Sequence, residues 1–139
     1  MVSILQILFQ GFGEAEDDQG PGTELIKEVE NLRKLHHPNI IQFYGLSRLC
    51  DDDGFTSYGM ITEYCQGGDL HNAIVSGDLA AFDHALRIAR QLVNTMAWLH
   101  ARGVVHRDIK PQNVLLNSDK TQIKICDLGI SMALPRDPT

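Results

Sequence analysis

Apolar residues recur at spacings of three and four from Leu25 through Val29 and Leu32 to Leu35, the period of one helix face. Thr23 stands where a capping hydroxyl would, Glu24 and Glu28 come early and Lys34 late, as a helix dipole favours, and Pro38 ends the pattern. The β-branched and aromatic run Ile40 to Gly45 predicts a strand, the aspartate-rich stretch from Leu49 to Gly54 a turn, and Ser57 to Tyr64 the returning strand of a hairpin. Gly67-Gly68 breaks the chain again. The longest periodic stretch predicts a helix over 82–102, with Ala85, Ile88, Ala89, Leu92, Val93, Met96 and Leu99 along one stripe and Gly103 as its C-terminal stop. Beyond it come Val104-Val105, a polar loop, and two short strands, Val114 to Leu116 and Ile123 to Cys126, around a turn at 117–119. The order helix, hairpin, helix, hairpin has no βαβ alternation and no internal repeat, so the fold class is α+β.

The segment Gly11 to Gly22, rich in Gly, Asp and Glu, reads as a flexible linker and divides the chain into a 1–22 N-terminal segment and a 23–139 folded part. Val2 to Phe9 is apolar but short and has no basic residue before it, so it is expected to be neither signal peptide nor anchor. No apolar run reaches membrane-spanning length. The formal net charge of −6 argues against nucleic acid or an anionic membrane as the main partner, because both select basic surfaces. Cys50, Cys65 and Cys126 are odd in number and scattered, which fits a reducing intracellular compartment, the cytoplasm, better than a disulfide framework.

The chemistry concentrates in His106-Arg107-Asp108-Ile109-Lys110-Pro111-Gln112-Asn113 and in Asp127-Leu128-Gly129. Asp108, Asn113 and Asp127 offer hard oxygen atoms, the donors that magnesium takes together with phosphate oxygens and water. Lys110 puts a positive charge two residues from Asp108, where phosphoryl charge could develop beside a base. Asp108 and Asn113 flank one loop after a helix and Asp127 ends a neighbouring strand, so the three can converge.

These two ordered motifs resemble the catalytic loop and metal-binding motif of protein kinases of the serine/threonine type. The resemblance runs from about Glu24 to Pro135. Leu35-His36-His37-Pro38-Asn39-Ile40 is similar to the turn after that family's C helix, and Glu63-Tyr64-Cys65-Gln66-Gly67-Gly68-Asp69-Leu70 to its hinge. It implies a partial kinase-like bilobal fold: the C helix and following hairpin of the smaller lobe, the hinge, and the helices, catalytic loop and short strands of the larger one. It also implies ATP and Mg2+ as cofactors and a protein substrate for the complete enzyme. Residue by residue, Asp108 would orient the substrate hydroxyl, Lys110 would steady the transferring phosphate, and Asn113 and Asp127 would hold magnesium. Glu28 matches the C-helix glutamate. Backbone at Glu63 and Cys65 would meet adenine beside Thr62, with Asp69 near the ribose and Leu115 beneath the ring. Leu32, Phe43, His106 and Leu128 match a hydrophobic column between the lobes, and Arg107 could pair with a phosphorylated segment.

The sequence departs from the family pattern in three places. The metal motif has Leu128 where phenylalanine is usual. No Gly-x-Gly-x-x-Gly precedes Glu28, and no lysine occurs before Lys27, which neighbours Glu28 on one helix and cannot reach across to it. The chain ends at Thr139, inside the expected activation segment. The hairpin is therefore expected to have an open edge and the 82–102 helix a partly uncovered stripe. Val2 to Phe9 could fill that edge, though it carries no lysine. The alternative function is an inactive, pseudokinase-like fragment acting through contacts with other kinase chains.

Overall fold

The computed structural model describes residues 5–8, 21–50, 52, 56–128 and 132–133. Most of the Gly11 to Gly22 linker and of the segment after Leu128 lie outside the described residues.

Helix α1 spans Thr23–Lys34 and buries Leu25, Glu28, Val29 and Leu32. Thr23 is its first helical residue rather than its cap. Gly22 holds the cap position in an extended conformation, and its carbonyl accepts the Ile26 N–H at 3.1 Å. The helix delivers Leu35, Ile40 and Ile41 into one apolar cluster with Met60, Leu99 and Leu128.

Strands β2 (Phe43–Cys50) and β3 (Thr56–Glu63) form the expected hairpin. Its first strand starts three residues later than the sequence suggests. The backbone of Asn39 to Ile41 is engaged elsewhere: Ile41 N–H donates to Ile125 O at 3.0 Å, and Ile125 N–H to Asn39 O at 2.7 Å. The outer edge of β3 is not open. Strand β1 (Leu5–Leu8) pairs antiparallel with it, Leu5 opposite Glu63 and Leu8 opposite Met60, giving the order β1-β3-β2. Strand pairing thus satisfies the β3 backbone from Met60 to Glu63 on both sides, in place of the expected open edge, and the strand that does so comes from the Val2 to Phe9 run.

Asp69 caps the short helix α2 (Leu70–Val75) by accepting the Asn72 N–H at 2.7 Å. Helix α3 spans Phe82–Ala101, and Gly103, at φ +73°, turns the chain out of it as expected. Its stripe is only partly covered: Leu99 is fully buried and Ile88 nearly so, while Val93 is 66% exposed. Strand β4 (Val104–Val105) pairs with β7 (Met132–Ala133). After a 3-10 turn at Pro111–Asn113, strands β5 (Val114–Leu116) and β6 (Ile123–Ile125) pair antiparallel. Their inward residues Val114, Leu116, Ile123 and Ile125 form a second cluster with Ala73 and Ile88. No described helix is long and apolar enough to cross a membrane.

Candidate active site

His106 is fully buried at the start of the polar loop, and its ring ties that loop to the end of β6. Nδ1 accepts the Asp108 N–H at 3.2 Å, so the proton lies on Nε2, which donates to Cys126 O at 2.9 Å. The two segments are tied a second time by the Cys126 N–H donating to Asn113 O at 3.0 Å. Two residues here take positive φ, Arg107 at 72° and Asp127 at 59°. An aspartate tolerates this region; an arginine does so only where its surroundings hold it, here a chain pinned at His106 and Asp108.

The Asn113 side chain is aimed by the same loop. Its Nδ2 donates to Asp108 O at 2.9 Å and to Asp108 Oδ2 at 3.1 Å, which leaves Oδ1 free to face away from that carboxylate. Lys110 Nζ lies 3.3 Å from Asp108 Oδ2, with both groups partly exposed. Asp108, Lys110 and Asn113 therefore form one connected set.

Asn113 also lines a cavity of about 380 Å³, a size that suits a small-molecule ligand. One wall is apolar, with Leu32, Ile41, Met60 and Leu115; Thr62, Cys65 and Asp69 line it on the chain leaving β3; Glu28, Asn113 and Asp127 bring the polar groups. The structure thus brings together Glu28, Cys65, Asp69, Asn113, Leu115 and Asp127. Glu63 is not among the lining residues: its N–H donates to Gln42 O at 3.0 Å, its carboxylate binds Lys124 at 2.9 Å, and its carbonyl accepts the Thr62 hydroxyl at 3.2 Å. Asp69 spends both oxygens on Asn72.

Glu28 is 1% exposed, not a solvated helix residue. Burial first, and then the neighbouring Asp127 charge, push its carboxyl up to about 7, against a partly offsetting Leu128 backbone hydrogen bond. Burial also raises the thiols of Cys65 to about 11 and Cys126 to about 12, so both stay protonated and act as small apolar groups.

The family model described as protein kinase domain matches residues 12–139. The chain belongs to the protein kinase domain family. It is 39% identical over 112 residues to a "Probable serine/threonine-protein kinase" of Dictyostelium discoideum, covering 78% of this chain and 18% of the relative. It is 38% identical over 136 residues to the mouse serine/threonine-protein kinase Nek2, covering 88% and 30%. It is 38% identical over 111 residues to the Drosophila melanogaster mitogen-activated protein kinase kinase kinase 7, covering 76% and 16%. The chain thus spans less than a third of the length of each of these relatives. Its architecture is the partial α+β kinase fold expected from the motifs.

Within this kinase domain Leu32 and Leu128 share one buried cluster with Phe43 against it. Gln91 is a positioning residue that motif reading overlooks. From α3 its Oε1 accepts from Asn39 Nδ2 at 3.0 Å and Ile123 N at 3.1 Å, and its Nε2 donates to Thr121 O at 2.7 Å. It joins the exit of α1 to the β5–β6 turn, and the one available signal is a glutamine beside the apolar stripe of α3. Gln66 and Gln112 also line the cavity and carry no signal in the sequence.

Proposed function

We propose that this site supports ATP- and Mg2+-dependent phosphoryl transfer to a serine or threonine hydroxyl of a protein substrate, as part of a longer serine/threonine kinase. The observation that carries the reading is the double use of Asn113: its amide nitrogen fixes Asp108 while its side chain lines the cavity with Asp127.

The donor set fits magnesium. Asn113 Oδ1 and the Asp127 carboxylate are hard oxygens on a cavity wall, and few protein donors leave room for phosphate oxygens and water. When bound, the ion would neutralise phosphate charge. The apolar wall at Ile41, Met60 and Leu115 suits a flat base, with Cys65 at its edge and Thr62 behind it. Asp69, on the same cavity wall, would meet a ribose hydroxyl with the lone pairs left beside its bonds to Asn72. Asp108, held by Asn113 and its own N–H, would orient the acceptor hydroxyl, and Lys110 beside it would steady the transferring group.

One feature favours a second reading, nucleotide binding without transfer: no lysine or arginine is among the described residues lining the cavity. Two measurements decide. Saturating Mg-ATP should raise the melting temperature, since ligand at about 100 times its Kd stabilises by about 2.7 kcal/mol; no shift at millimolar nucleotide overturns ATP binding. Transfer of labelled phosphate to a protein acceptor should disappear in Asp108→Asn. Stabilisation without any transfer supports the second reading.

A further inference from the structure

Oε2 of Glu28 is a buried side-chain oxygen with no hydrogen-bond partner, in a residue that is 1% exposed and lines the cavity. Its neighbour is another carboxylate, Asp127, whose charge opposes its own. The described cavity lining holds the carboxylates of Glu28, Asp69 and Asp127 and no basic side chain. Nearby cations are engaged elsewhere, Lys110 with Asp108 and Lys124 with Glu63. Residues 1–26 contain no lysine or arginine at all, so β1 brings none to this wall. A buried carboxylate facing a second one needs a proton or a counter-charge, and among the described residues lining the cavity no side chain supplies a positive charge.

We propose that Glu28 and Asp127 together hold a divalent cation at the α1 end of the cavity, Glu28 through its unpartnered Oε2. Positive charge facing a phosphate-bearing ligand would then come from an ion rather than from a side chain. The proposal deepens the nucleotide reading in its ligand but not in its cation, which the protein alone should bind. Two carboxylates with Asn113 Oδ1 nearby make an incomplete oxygen shell that suits a hard ion keeping its waters or taking phosphate oxygens. Among the described residues no three or more His, Cys, Asp or Glu are placed to hold a metal ion by themselves, so a site of the closed, all-protein kind is not what is proposed.

The test uses Mn2+ alone, titrated into the whole chain without nucleotide and followed by the loss of its free paramagnetic signal. One ion per chain is expected, displaceable by Mg2+, with affinity lowered about tenfold or more in Glu28→Gln and in Asp127→Asn. Glutamine keeps the shape of Glu28 and removes the repulsion, so this variant should melt no lower than the parent in EDTA. A reading that needs no variant is the Glu28 carboxyl carbon in selectively labelled protein, which bound Mn2+ should broaden. Unchanged Mn2+ affinity in Glu28→Gln, an unbroadened Glu28 signal, or no binding up to about 10 mM would each overturn the proposal. Stabilisation by Mg-ATP, measured separately, tells this failure from failure of the kinase reading: Mg-ATP can bind through Asn113 and Asp127 with Glu28 silent.

Discussion

At the scale of single residues, Glu28 and His106 show how burial turns an ordinary side chain into a constraint. The folded chain holds the Glu28 proton up to about pH 7, whereas an unfolded glutamate releases it near 4.5. The native state therefore binds more protons between these values, and stability falls as pH rises through them. In metal-free buffer, urea unfolding should show the parent losing about 3 kcal/mol relative to Glu28→Gln across this window, while His37, held below its ordinary value by burial, works in the opposite direction in both proteins. Asp78 and Asp119, held low first by hydrogen bonds from Lys120 and Thr121, act below the ordinary aspartate value and leave that window undisturbed. His106→Ala removes two hydrogen bonds and opens a buried void, so equilibrium unfolding should show a loss of about 3 kcal/mol or more. The histidine's packed character is legible in the sequence from the motif around it. The burial of Glu28 is not, because a glutamate on the apolar side of a helix looks the same whether it meets solvent or a cavity.

Among the elements, the path from β3 to α2 is the most tightly drawn. Gly67 N–H donates to Leu116 O at 2.9 Å and Leu116 N–H to Gly68 O at 2.8 Å, so this stretch runs against β5. A Cβ on Gly67 would lie 2.1 Å from Asn117 O, a backbone atom that cannot swing away. Gly67→Ala should cost about 3 kcal/mol and weaken Mg-ATP stabilisation, because it pries the cavity's rim from β5. Gly68→Ala meets no atom within 4 Å and carries only the strain of φ +73°, so thermal unfolding should register about 1 kcal/mol. The double glycine is readable as a break, but its two members differ for reasons that only the partner strand supplies. The same holds for Ile40 and Ile41: their composition says strand, and their pairing with Ile125 rather than with the hairpin comes from tertiary contacts.

For the molecule as a whole, both hairpins, the two longer helices and the polar loop at 106–113 are visible in periodicity and motif. The β1–β3 pairing is there only as an option, raised by the apolar Val2 to Phe9 run, since four residues far from their partner in sequence leave no local signal of register. The uncovered part of α3 follows from the stripe itself, which includes Val93 and is more than any one neighbour here can hide. Val93→Lys should leave the melting temperature within about 1 °C in thermal unfolding, as surface changes do. β3 has a last consequence. Met60 and Thr62 stand on the cavity wall, and the backbone at Met60 to Glu63 also carries the ladder to β1. One plank thus serves two rooms: a guest that stiffens it from the cavity side slows amide exchange on the far side too, making the distant Leu5–Leu8 ribbon an outside gauge of occupancy.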